Sequence, residues 1–332
     1  MPALFLYPCA NPNRSNCIAV YTDERVLKYT IRRLLLMIPT LFFVALITFG
    51  LAKAAPGSPF DRNPDKPPKQ ETIDRLNKYY GLDKPVHEQF LQWLGNVAHL
   101  DFGISIVRQR QVSEILAQGF PVTAQLGVQA LVLALAIALP LGVISALRQN
   151  TIVDYGSLFF ATIGTTIPSF VVAIFFIYFF AVWLRLLPIV GWGTPQHMIM
   201  PTIILSLGAA AFLTRITRAS MLEAVRQDYV RTARSKGLRE QVVIVGHVLK
   251  NALIPVATVV GPAAAGLITG SFIIETLFSV PGIGREYIRS IVALDYPIIM
   301  ATTLLYAFFI VVANLSVDLV YGMLDPRIKV GK

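Results

Sequence analysis

The chain has 332 residues, of which 55% are hydrophobic and only 14% charged, and its mean hydropathy is +0.62. A soluble domain carries nearer a quarter of charged residues, so the composition excludes an ordinary soluble enzyme and points to a multi-span membrane protein. The net charge of +10 invites a nucleic-acid reading, but membrane proteins gather Lys and Arg in cytoplasmic loops, and no nucleic-acid partner is expected.

In chain order, Cys9 and Cys17 come first. Their spacing matches neither a zinc pattern nor a CxxC redox pair, so they read as unpaired bystanders. Six stretches then approach the length of about 20 apolar residues that crosses a bilayer. They are Leu34–Ala52, Val122–Leu147, Ser157–Leu184, Met198–Leu213, Ala252–Leu277 and Ile298–Val320. Prolines inside them (Pro39, Pro140, Pro168, Pro262) do not veto the assignment, because neighbouring helices can satisfy the freed carbonyls.

Arg25, Lys28, Arg32 and Arg33 precede the first span, which places the N-terminus in the cytoplasm. Six spans return the C-terminus, with Arg327, Lys329 and Lys332, to the same side. The segment between spans four and five, 215–251, also falls inside and carries +5, half of the net charge. The long segment from Lys53 to Phe120 is nearly balanced and reads as external. Within it, "GSPFDRNPDKPPKQ" is polar and extended, whereas Phe90, Trp93, Leu94 and Val97 recur at helical spacing. That amphipathic helix either packs on its own bundle or offers a partner site.

Catalytic chemistry is absent from the pattern. No phosphate-loop motif occurs, and His87, His99, His197 and His247 are too scattered for a metal site. No cofactor and no metal are expected in this chain. Ion-coupled carriers place acids at mid-span, but Glu275 and Asp318 sit near span ends and read as caps or helix–helix hydrogen bonds. Asn314 is deeper and reads as interhelical glue.

The segment "DYVRTARSKGLREQVVIVGHVLKNALIP" needs a different account. Asp228 is a candidate N-cap, and Gly237 supplies the left-handed residue that closes a helix. Such a helix is too short to be stable alone, so it needs a surface. Arg231, Arg234 and Lys236 favour lipid headgroups, whereas Tyr229, Val230 and Ala233 offer an apolar contact to a protein groove.

This stretch resembles the cytoplasmic coupling loop, often called the EAA loop, of permease subunits in bacterial binding-protein-dependent ABC importers. The general Glu-Ala-Ala is Arg231, Thr232 and Ala233 here, and "RTARSKGL" over Arg231–Leu238 is similar to the form in the peptide and nickel branch. "APGSPF" (Ala55–Phe60), "FPVTAQLG" (Phe120–Gly127), "IPSFVVA" (Ile167–Ala173) and "ETLFSVPGIGRE" (Glu275–Glu286) extend the resemblance from about Val26 onward. The oligopeptide B-type permeases are the most similar form.

The resemblance implies an all-α integral membrane protein of the type I importer permease fold, in the bacterial inner membrane. It implies residues 1–25 as an extension without assigned role, 26–120 as the first span plus external segment, and 121–332 as a five-helix core. It implies a C-type permease partner, two ABC ATPase subunits that bind ATP and Mg, and an extracytoplasmic solute-binding protein, with membrane lipids around them. Oligopeptides are the implied cargo, with dipeptides, glutathione and nickel as alternatives. Coupling to the ATPases falls to Asp228, Tyr229, Arg231, Thr232, Ala233, Arg234, Lys236 and Gly237. The turn with Pro281, Gly282, Gly284 and Arg285 is a candidate binding-protein contact, or else a structural cap on span five.

Overall fold

A computed structural model describes residues 17–54 and 84–324. The extended polar stretch expected near 57–70, most of the extension, and the last residues lie outside them. All regular elements among the described residues are helical. The first is α1 (Cys17–Ala54), followed by α2 (Val86–Ala98), α3 (Val112–Leu147) and α4 (Ile152–Thr166). Next come α5 (Ser169–Phe176), which runs on as π-helix over Ile177–Trp183, α6 (Pro195–Val225) and α7 (Asp228–Ser235). A single turn α8 (Glu240–Val242) continues as π-helix Val243–Leu249 into α9 (Lys250–Ile268), and α10 (Phe272–Leu277), α11 (Ile283–Ala293) and α12 (Tyr296–Leu324) complete the chain.

Five segments are long and apolar enough to cross a bilayer: Ile31–Ala54, Val112–Leu147, Pro195–Val225, Glu240–Leu277 and Tyr296–Ser316. A sixth arises if α4 and the helix Ser169–Trp183 count together, but these meet at 103°. The straight span expected over Ser157–Leu184 is therefore a bent pair. Pro168 is the cause, since it lacks an N–H and forces its predecessor out of helical geometry. Ile167 accordingly sits at φ −79°, ψ 124°.

Helix α3 packs closely through small residues. One face of α3 presents Gly127, Ala130, Ala134, Ala138 and Gly142, all buried. A β-carbon on Gly127 would collide with the backbone of Leu267 and Ile268 in α9. One on Gly142 would lie 2.5 Å from Thr217 in α6. Between helices surrounded by lipid, close backbone approach supplies the dispersion contact that the hydrophobic effect supplies in water. The amphipathic helix α2 packs on its own bundle. Its buried Phe90 and Trp93 meet Phe42 and Phe49 of α1, beside Met300 and Leu304 of α12. Elsewhere α1 exposes Leu35, Ile38, Phe43 and Leu51, an apolar surface fit for hydrocarbon.

Candidate functional site

Helix α7 stands at one end of the bundle, and the connection that holds it is tighter than the loop expected over 215–251. Helix α6 continues to Val225 and the next membrane-crossing segment starts at Glu240, so the charged residues between 215 and 225 ride on a rigid extension. Gln227, in extended geometry and without a side-chain cap, precedes α7. Asp228 is thus the first helical residue rather than the N-cap, where its charge still meets the positive end of the helix dipole.

Gly237 has φ +74° and open space around it. Its N–H reaches Arg234 O at 2.9 Å and that of Leu238 reaches Ala233 O at 3.4 Å, the paired bonds of a Schellman end. Glycine is required there by backbone conformation and not by crowding.

Val230 and Ala233 turn inward and are buried with Ala146, Met221, Ala224, Val243 and Val248. They are not the outward apolar contact expected of them. Asp228, Tyr229, Arg231, Thr232, Arg234, Lys236 and Gly237 remain exposed, and Leu238 joins Tyr229 as an outward apolar group. Arg234 makes a bidentate pair with Glu240, at 2.6 and 3.1 Å. That carboxylate raises the guanidinium's already high pKa and ties the turn to the helix that follows. The pair Arg231–Asp228, at 3.7 Å and fully solvated, adds little.

At the same end lies a buried clamp that the sequence reading missed. Asp154, in the first turn of α4, accepts from Arg218 Nε at 2.5 Å and Nη2 at 2.8 Å. Ser145 Oγ on α3 donates to it at 2.5 Å, and the Asn150 N–H at 2.9 Å. One carboxylate therefore joins α3, the following turn, α4 and α6. The available signal was that Asp154 is the sole acid between Glu114 and Glu223. Arg218, counted among the loop's solvated charges, is committed to this pair.

The "PGIG" turn lies at the opposite end, where Glu275 is fully buried. Its Oε2 accepts from the N–H groups of Gly284 (2.9 Å) and Arg285 (3.3 Å) and from Thr123 Oγ1 (3.2 Å). Thr123 in turn accepts from the Ile283 N–H at 2.9 Å. The positive end of α11 thus receives a carboxylate from another helix. β-carbons on Gly270, Gly282 or Gly284 would collide with that carboxylate. Of the four residues expected at a binding-protein contact, Gly282 and Gly284 are buried, Pro281 is exposed and Arg285 is half-buried. The two glycines are there to seat Glu275, as a structural cap requires.

Nearby, Asp295 accepts from Ser105 Oγ at 2.5 Å and from the N–H groups of Ile106 (3.2 Å) and Val107 (3.3 Å). Burial pushes its carboxyl above the usual range. Arg108 pairs with Glu286. Burial and the neighbouring Arg289 and Arg108 lower the pKa of Arg285, while Glu286 opposes that shift. Asn314, expected to glue helices together, is exposed.

A family model described as "Binding-protein-dependent transport system inner membrane component" matches residues 138–330. A companion model for the N-terminal part of such membrane components matches residues 26–127. The dipeptide transport system permease protein DppB of Bacillus subtilis (strain 168) is 43% identical over 306 residues, spanning 92% of this chain and 99% of its own length. The oligopeptide transport system permease protein OppB of Salmonella typhimurium (strain LT2) is 41% identical over 307 residues, 92% of this chain and all of its own. A chain of the MetNI methionine ABC transporter in inward-facing conformations shares the fold, with a TM-score of 0.53 at 17% identity. It covers 64% of this chain and 96% of that one.

Proposed function

The chain belongs to the family of binding-protein-dependent transport system inner membrane components, and from that premise we propose that it forms half of the passage of an ATP-driven peptide importer. Its cargo is oligopeptides, with dipeptides, glutathione or nickel as the alternatives within the same importer class. A related C-type permease completes the passage. Two ATPase subunits, which hold ATP and Mg, supply the energy, and a solute-binding protein delivers cargo outside. The end bearing α7 faces the cytoplasm, in keeping with its excess of Lys and Arg.

One observation carries the coupling role. Helix α7 spends its apolar side, Val230 and Ala233, on its own bundle and presents Tyr229, Arg231, Thr232 and Lys236 outward. A helix so anchored is a rigid projection, and a push on its outer side passes into α6 and α9 through that shared cluster. The rival surface, lipid headgroups, would use the same arginines without needing the anchoring.

The experiment is to tag the C-terminus, extract gently in detergent and identify by mass spectrometry what accompanies the chain. Recovery of two nucleotide-binding ATPases and a second multi-span permease is expected. A monodisperse chain recovered alone would overturn the reading and favour a stand-alone carrier.

A further inference from the structure

Helix α3 carries amides where a lipid-facing helix would carry hydrocarbon. Its exposed stripe passes through Glu114, Gln118 and Gln125 before turning apolar at Val128 and Val132. Arg110 donates to both Glu114 (3.3 Å) and Gln118 (3.4 Å). About two turns deeper, Gln125 and Gln129 each aim Nε2 at Met198 Sδ, at 3.7 Å. A thioether is a weak acceptor. Thr202 Oγ1 donates to Gln129 Oε1 at 3.3 Å, which joins α6 to the ladder. The gap between Gln118 and Gln125 is bridged by backbone. Pro121 has no N–H, so the carbonyl of Ala117 on the same stripe lacks its helical donor.

Depth decides what this polarity means. We take exposed Arg215 as the membrane boundary at the α7 end; Gly142 lies at the level of Thr214 and Thr217. A hydrocarbon core of about 30 Å spans about 20 helical residues and reaches from Gly142 to about Val122. Gln125 and Gln129 fall inside it, whereas Glu114 and Gln118 project beyond. An amide placed in hydrocarbon without a partner costs about 2–7 kcal/mol. Polar groups at such depth face a wet cavity or the bundle interior rather than lipid.

We propose that Gln125 and Gln129, with Thr202 behind them, line the mouth of the solute passage and hydrogen-bond the backbone of an entering peptide. An uncharged amide offers one donor face and one acceptor, the complement of a peptide group, and does so whatever the peptide's side chains. Backbone recognition of this kind suits cargo of varied sequence. The inference rests on the peptide-importer reading.

The test uses the assembled transporter in proteoliposomes, with its binding protein and tri-alanine as probe. In a Cys9→Ser, Cys17→Ser background, Gln125→Cys and Gln129→Cys should react with a charged, membrane-impermeant thiol reagent, and turnover with tri-alanine should slow that reaction. Phe175→Cys, 72% exposed on the bent helix, should stay unreactive. Gln129→Leu should lower tri-alanine uptake roughly tenfold, the equivalent of one lost hydrogen bond of about 1.4 kcal/mol. Gln129→Asn should restore part of it. Unreactive cysteines, reactivity blind to the peptide, or unimpaired uptake by the leucine variant would each overturn the ladder alone. If the unmutated transporter imports no tri-alanine, the peptide reading itself fails and the ladder falls with it.

Discussion

Two buried carboxylates hold the end opposite α7, and each yields a prediction. Gly284 is there because a β-carbon would sit 2.9 Å from the Glu275 carboxylate. Gly284→Ala should therefore destabilise by about 1–3 kcal/mol, the usual range for overpacking, read as a lower melting temperature in detergent. The penalty should shrink when Glu275→Ala is added, because the colliding group is gone. An unchanged penalty would mean that the glycine serves something other than the carboxylate. Asp295 has a sign that can be worked out. Its folded-state pKa is raised, so its contribution to stability is full below the ordinary carboxylate value and is lost as pH rises through the raised one. The amides of Ile106 and Val107, from which this side chain accepts, should be better protected from hydrogen exchange at about pH 3 than at about pH 8, after correction for intrinsic rates. Asp295→Asn should flatten that difference, and a flat profile in the unmutated chain would refute the assignment.

At the level of elements, α7 depends on its last residue. Replacing Gly237 by Val forces a β-branched side chain into φ +74°, at about 1–3 kcal/mol. That is enough to depopulate the Schellman end by about fivefold or more. The expected result is ATP hydrolysis without matching peptide uptake, in a protein that still inserts and assembles. Normal uptake would count against a coupling role for this helix. The Arg234–Glu240 pair is solvated, so Arg234→Ala should change stability little. The clamp is different. Asp154→Ala leaves Arg218 only 18% exposed and without its counter-ion, a loss of up to about 3–5 kcal/mol. Limited proteolysis should then cut between α3 and α4, where the intact turn resists.

For the whole molecule, much of the architecture is legible in the sequence and the sites only partly. The five long spans follow from apolar run length, although charged residues such as Arg215 and Arg218 hide how far α6 extends. The sixth breaks because Ile167–Pro168 outweighs the apolar run on either side of it. The α7 helix announces itself through Asp228 and Gly237, one residue out of register at its start. Its inward face is not legible, because Val230 meets residues from Ala146 to Val248 that only the fold brings together. The same holds for Glu275, whose donors lie on another helix and on Thr123, 152 positions earlier. Local signals locate helices, and long-range pairing decides which polar groups are spent inside the protein and which remain for a partner.

The clamp also has a consequence in time. Asp154 and Arg218 are 64 positions apart, and at about 5–20 residues per second of synthesis the acid is made roughly 3–13 s before the base. During that interval α4 carries a charge that the finished protein holds away from water. The bent pair therefore cannot settle until the fourth span has been delivered beside it. A chain that stalls short of Arg218 keeps this carboxylate unneutralised, a charge that the finished protein does not show.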